Sequence, residues 1–459
     1  MTGPYPTRHR FAILAALALG GCGSTGSSEL PAPVADECAV PVPSERPADG
    51  TPLPADIAAA VAPHWDAVAA AMTAGDADAV RRAVCDARAV LGIWQGVAEA
   101  SGSYRATTAN PVDPGAVAAV FTSSLPGLRG SEPWARNGGS THGDDMTEAL
   151  RTSCGMISAY AVAATFIADP SVAAEFISAA RTGADWLIAV QRPEGHWGFP
   201  DLTDDAARWL DECVVSESSV SECRAMIPRV FELAMLGKER WEAAGRPDGV
   251  LVDGWFVDDD QLDPGGLQFD TGECGGALLA MYRVTAEPVY LDAARRASLW
   301  AAAEVPVPNW NYNAFSVGLL AHMAALDPGP NSWAEQALAK ARLGVMPGVL
   351  PDGRWVDPHN ARIVYHMILL RALAHLDTQV DDPRLSEIVA AANRRSGDEL
   401  RAFGATAFDD GIEAHLAARR AGHAQDGAVE RLINGALPGG RPDSLSLAWW
   451  LAEELDSLP

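Results

Sequence analysis

Positive charge is scarce in this chain. Only 34 Lys and Arg stand against 60 Asp and Glu, a net charge of -26. So acidic a molecule repels a nucleic-acid backbone or an anionic lipid surface, and neither is expected as a partner. Also missing, beyond the first twenty residues, is any stretch of about 18 apolar residues free of charge, so no membrane-spanning helix is expected. Alternating β-branched runs are few, which argues against a large sheet. Gly and Pro together reach 74 of 459 residues, too few to suggest disorder. The seven cysteines match no zinc spacing, no cofactor motif is present, and neither a metal nor a cofactor is expected.

What is present begins at the N-terminus. Arg8, His9 and Arg10 precede an apolar run from Phe11 to Leu19, followed by Leu19-Gly20-Gly21-Cys22. This resembles a bacterial lipoprotein signal: residues 1–21 would be removed and Cys22 would carry the lipid, with Gly23 resembling the outer-membrane-directed class of a Gram-negative host. The chain is then expected outside the cytoplasm, lipid-anchored. Residues 22–54, rich in Ser, Pro, Ala and Gly, read as a flexible tether. Export leaves six cysteines for up to three disulfides. Cys213 and Cys223 are the favoured pair, while Cys154 and Cys274 read equally well as buried thiols.

From Ala55 to the C-terminus the pattern is helical, and the helices come in pairs: 55–74 with 77–92, 146–168 with 171–190, 203–215 with 220–244, 274–285 with 288–304, 312–326 with 332–344, and 361–376 with 383–396. Segments 409–421, 426–436 and 443–455 are helical with their pairing open. The connectors inside several pairs are short and join an acid to a proline (Asp169-Pro170, Glu287-Pro288, Asp327-Pro328, Asp382-Pro383), a combination suited to a helix start. The connectors between pairs are longer and hold Trp, Asp, Asn and Gly. The first helix of a pair is nearly uncharged and the second is amphipathic, so inner helices alternate with outer ones. The expected fold is all-α, a barrel of about six helical hairpins spanning residues 55–459.

Val284-Thr-Ala-Glu-Pro-Val-Tyr-Leu-Asp-Ala-Ala294 resembles the inner-to-outer connector of the α/α-toroid proteins of carbohydrate metabolism, the six-hairpin glycosidases and toroid polysaccharide lyases. That resemblance implies a carbohydrate partner. Gln191-Arg-Pro-Glu-Gly-His-Trp197 also matches the Q-x-x-x-G-x-W repeat of squalene-cyclase-like toroids, but no D-x-D-D acid motif accompanies it.

Sugar sites combine aromatic faces with acids and amides. Trp197, Trp255, Trp310, Asn311 and Trp355 are therefore the expected substrate-binding residues. A glycoside hydrolase needs two carboxyl groups, and Asp270, Glu273 and Asp357 stand at inner-helix entrances. A lyase acting on a uronic-acid polymer needs an Asn, Arg or His to hold the carboxylate and a Tyr or His to move the proton. Asn309-Trp-Asn-Tyr-Asn313 loosely resembles the helix-entrance motif of alginate-lyase-type toroids, and His359, Asn360, Arg362, Tyr365 and His366 would supply the remaining groups. Hydrolase is the favoured reading, with catalytic candidates Asp357, Asp270, Glu273, Tyr365 and His359; lyase and non-catalytic glycan binding are the alternatives. His322 and His375, within apolar helices, read as core histidines. The sequence does not speak to oligomeric state.

Overall fold

The computed structural model describes residues 38, 40, 54–92, 108–128, 146–197, 250–252, 255–257, 264–329, 332–356, 363–402, 408–436, 445–455 and 457. In chain order the helices are α1 (Ala55–Thr73), α2 (Ala77–Leu91), α3 (Pro114–Leu128), α4 (Met146–Phe166), α5 (Pro170–Val190), α6 (Pro264–Thr285) and α7 (Pro288–Ala303). They continue with α8 (Trp310–Leu326), α9 (Trp333–Gly344), α10 (Ile363–Asp377), α11 (Pro383–Ala402), α12 (Phe408–Arg420), α13 (Ala428–Ala436) and α14 (Leu445–Glu454). A short antiparallel ribbon pairs β1 (Val250–Val252) with β2 (Trp255–Val257).

Six of these helices close a ring. α4 packs on α6, α6 on α8, α8 on α10, α10 on α12, α12 on α14, and α14 returns to α4. Around them α5, α7, α9, α11 and α13 each lie against the inner helix that precedes them, and α3 covers α14. The fold is an all-α α/α toroid, and α3 completes a hairpin whose inner helix lies at the far end of the chain. α1 and α2 pack on each other and, through α2, on α9 and the 3-10 turn Met346–Gly348. They stand outside the ring, although the sequence pattern made them its first pair. The expected pair 203–215 with 220–244 lies outside the described residues.

Inner and outer positions follow from where apolar side chains fall. Along α8 nearly every face is buried, from Trp310 through Phe315, Leu319 and Leu320 to Met323. Burying each such side chain is worth about 1.5–3 kcal/mol. α11, by contrast, keeps Leu385, Ile388, Val389 and Ala392 inside and most of its charged groups outside, Glu399 being buried in an ion pair with Arg354.

The acid–proline connectors start outer helices as their chemistry requires. Asp169 accepts a hydrogen bond from the Ser171 backbone N–H at 2.9 Å, Asp382 accepts one from Leu385 N–H at 2.9 Å, and Pro170 and Pro383 open the helices. Asp327-Pro328 differs: Asp327 takes the Arg295 guanidinium at 3.0 Å, and α9 begins only at Trp333.

One turn occurs twice and explains the Gly-x-Trp pattern. In residues 191–197 the Gly195 N–H donates to Arg192 O, the Arg192 N–H donates to His196 O, and the Trp197 indole donates to Leu187 O at 2.9 Å. In residues 349–355 Gly353 donates to Leu350 O, Leu350 to Arg354 O, and the Trp355 indole to Val345 O at 2.8 Å. Both glycines have positive φ, +109° and +88°, which a side chain would strain. A Cβ on Gly195 would stand inside contact distance of the Arg296 carbonyl in α7, and one on Gly353 inside that of Ala391 in α11. Each turn thus staples the end of one outer helix to the next outer helix.

Two disulfides tie the described structure. Cys154–Cys274 joins the neighbouring inner helices α4 and α6, and Cys38–Cys85 fastens a point within the expected tether to α2. Cys154 and Cys274 are therefore not free thiols. Cys213 and Cys223 lie outside the described residues, as does Cys22.

Candidate functional site

The ring encloses a polar cluster to which its inner helices contribute. On α6, Glu273, Gly276, Ala280 and Arg283 recur every three or four residues, a spacing that puts them on one face. α8 contributes Phe315, Gly318 and His322 at the same spacing; α10 contributes Arg371 and, one turn on, His375. Glu413 comes from α12 and Trp449 from α14. A narrow cavity of about 70 Å³ runs between them, adjoined by a chamber of about 300 Å³ that also reaches Gln379, Arg420 and Glu453. Arg283, His322, His375, Glu413 and Trp449 wall both spaces. Arg283 and Arg420 lie in the last turns of α6 and α12, so the larger chamber sits toward the C-terminal ends of the inner helices.

Arg371 is the keystone. Its guanidinium reaches Glu273 at 2.9 Å and Glu413 at 3.5 Å. Glu413 also accepts a hydrogen bond from His375 Nε2 at 2.9 Å, and His322 Nε2 stands 3.9 Å from the same oxygen. The two imidazole rings lie 4.2 Å apart. Burial pushes His322 well below the ordinary histidine value, and the neighbouring His375 adds to the effect. Burial lowers His375 too, against the opposing pull of its Glu413 hydrogen bond. For Glu413 burial works against ionisation, but Arg371 and the His375 hydrogen bond outweigh it and hold the carboxyl below the usual range. At neutral pH the cluster is an ionised carboxylate beside two neutral imidazoles.

Such a set can act as base and orienting acceptor. With Nε2–H given to Glu413, His375 keeps its Nδ1 lone pair, and Glu413 stabilises the imidazolium that forms when a proton is taken. The His322, His375 and Glu413 donor atoms all lie within 4.8 Å of one another, so they could also ligate a transition metal. Against that, His375 and Glu413 are already hydrogen-bonded to each other, and Arg371 opposes added positive charge.

Of the residues expected from sequence, Glu273 alone among those described lines this cavity. α6 starts at Pro264, ten residues earlier than its pattern suggested, so Asp270 and Glu273 lie within the helix rather than at its entrance. Asp270 is buried in an ion pair with Arg151 at 2.9 Å, and that guanidinium covers the Phe269 ring at 3.4 Å; Asp270 links α4 to α6. Tyr365 is half-buried near the start of α10, away from the cavity walls. Asp357, His359, Asn360 and Arg362 lie outside the described residues, and for Trp255 only the strand backbone is described.

Trp197, Trp310 and Trp355 are buried with their indole N–H groups on backbone carbonyls, Trp310 donating to Val356 O at 2.6 Å. Their faces are taken up by packing and offer no platform to a sugar, a correction to the expected role. Asn311 is buried and donates to Asn309 at 2.7 Å, while Asn313 bridges Val307 and Gly344; this segment shapes the entry to α8. His375 is buried, as its helix implied, whereas His322, expected in the core, is half-buried and faces the cavity; both are cluster members. Arg283, Arg371, Glu413 and Trp449 were not anticipated. The signal available for one of them, Arg371, was its place one turn before His375 in a largely apolar helix.

No family model matches this chain, and no curated protein sequence does. Among solved structures, one of D-mannose isomerase is similar over 54% of this chain and 74% of its own, at 17% identity and a TM-score of 0.27. A likeness that slight has no bearing on activity.

Proposed function

We propose that the protein is a carbohydrate-active enzyme, exported and anchored through a lipid on Cys22, whose axial cavity moves a proton on a small sugar. The carrying observation is the His375–Glu413 hydrogen bond with His322 beside it, set in a cavity of the closed helical ring. A neutral imidazole oriented by a carboxylate is suited to removing a proton from carbon next to a carbonyl or carboxylate. The Arg371 guanidinium is placed to favour the negative charge that develops on oxygen. Aldose–ketose isomerisation, epimerisation and β-elimination all share that step. The larger chamber, about 300 Å³, is at the small end of ligand pockets and suits a single ring better than a long polymer.

Hydrolysis is the second reading, favoured by one observation: Glu273 and Glu413 face the same cavity across Arg371. A hydrolase needs one of its carboxyl groups protonated, and an arginine shared between the two works against that. The test is a panel of neutral and acidic mono- and oligosaccharides, followed for aldose–ketose conversion, unsaturated-sugar absorbance and new reducing ends. Conversion or absorbance that is lost in His375→Gln supports proton transfer. New reducing ends alone would establish the hydrolase, and silence across the panel would leave a binding protein.

A further inference from the structure

Arg283 stands apart among the cations of the barrel interior. Arg371 is matched by Glu273 and Glu413, and Arg420 by Glu453. Arg283 has no carboxylate partner among the described residues; its guanidinium lies over the Trp449 ring, 5.0 Å from the centroid. Buried charges are as a rule paired, because losing hydration costs more than one cation–π contact returns. The neighbours add no anion: His322 and His375 are neutral, and Glu413 is committed to Arg371 and His375. One half-buried guanidinium, on the wall of both chambers, is thus left without an ion-pair partner of its own among the described residues.

We propose that Arg283 binds the anionic group of the ligand, with the Trp449 ring holding the guanidinium from behind, so that the cavity takes a sugar bearing a carboxylate or a phosphate. This rests on the reading of the cavity as a carbohydrate site. The anion would sit toward the C-terminal ends of the inner helices, and the sugar ring would extend toward His375 and His322. A planar guanidinium donates two parallel N–H bonds to a carboxylate or phosphate, and an aromatic ring behind it fixes its plane. Burial already lowers the Arg283 pKa, as expected of a cation awaiting its partner.

The test is calorimetric titration of the full chain with D-glucuronate, D-glucose 6-phosphate, D-glucose and inorganic phosphate, for wild type, Arg283→Met and Arg283→Lys. The expected result is that at least one anionic sugar binds ten-fold or more tighter than glucose. Arg283→Met should abolish that preference, leaving the anionic sugar no tighter than glucose, and Arg283→Lys should keep part of it. Glucuronate over glucose 6-phosphate would identify the anion as a carboxylate, and the reverse order as a phosphate. Without ligand, Arg283→Met should melt no lower than wild type, since a half-buried charge with no ion-pair partner is removed; a lower melting temperature would overturn the proposal. Equal affinity for glucose and both anionic sugars, no binding of any sugar, or an unchanged preference in Arg283→Met would overturn it as well. Binding is read without turnover, so an anionic preference with no proton transfer would keep this proposal while sinking the catalytic one.

Discussion

Arg371→Met removes the one guanidinium that joins Glu273 to Glu413. The arginine side chain is 17% exposed and its partners 21% and 10%, so the carboxylates left behind cannot be fully rehydrated and face each other across the space it occupied. Removing one member of a buried ion pair costs about 3–5 kcal/mol, and partial exposure reduces that here to about 2–4 kcal/mol. Because the loss comes from stranded charge, neutralising the carboxylates should restore stability. The triple variant Arg371→Met/Glu273→Gln/Glu413→Gln is expected to recover to within about 1 kcal/mol of wild type, since replacing a whole buried ionic group is often close to neutral. Urea unfolding followed by tryptophan fluorescence and by far-ultraviolet circular dichroism reads the midpoints. A single variant within about 0.5 kcal/mol of wild type, or a triple variant as unstable as the single, would refute this account of the cluster.

Replacing both Cys154 and Cys274 with Ala opens a link spanning 120 residues and should cost about 4–5 kcal/mol on a chain-entropy argument, seen as a lower melting temperature. Gly353→Ala should cost at least about 2 kcal/mol from positive φ and contact with the Ala391 backbone, and Gly195→Ala should behave alike. Gly276→Ala, inside α6 with open space at its Cβ, is the control in the same unfolding assay and should stabilise by about 0.5–1 kcal/mol. His415 is held at a pKa of about 3 by burial, against 6.5 in the unfolded chain. The unfolded state therefore binds the extra proton, and stability falls as pH drops from 6.5 toward 3. Between pH 7.5 and 5 that amounts to about 2 kcal/mol, which His415→Gln should remove from the pH dependence of unfolding.

Much of the fold was legible because burial leaves a plain trace. Uncharged α8 and nearly uncharged α10 against charged α7 and α11 state which helices are inner, and Asp169-Pro170 and Asp382-Pro383 mark outer-helix starts. The sixth hairpin was hidden, because α3 and α14 meet across more than three hundred residues and no local pattern records such a contact. The site was harder to read for a related reason. Tryptophans in loops look alike whether they bind sugars or staple helices, and only the carbonyl each indole reaches tells them apart. The cluster itself is assembled from single polar residues on helices that are distant in sequence. Glu413 lies in a segment whose pairing the pattern left open, and Arg283 reads like any basic residue in a last helical turn.

The most direct test of proton transfer at the His375–Glu413 pair is turnover in heavy water, with the sugar product examined by proton NMR. Deuterium carried from solvent onto a sugar carbon by wild type, and lost in His375→Gln while the variant stays folded, is the predicted result. Turnover that gives neither solvent deuterium on carbon nor an unsaturated product, or turnover untouched by His375→Gln, would contradict it.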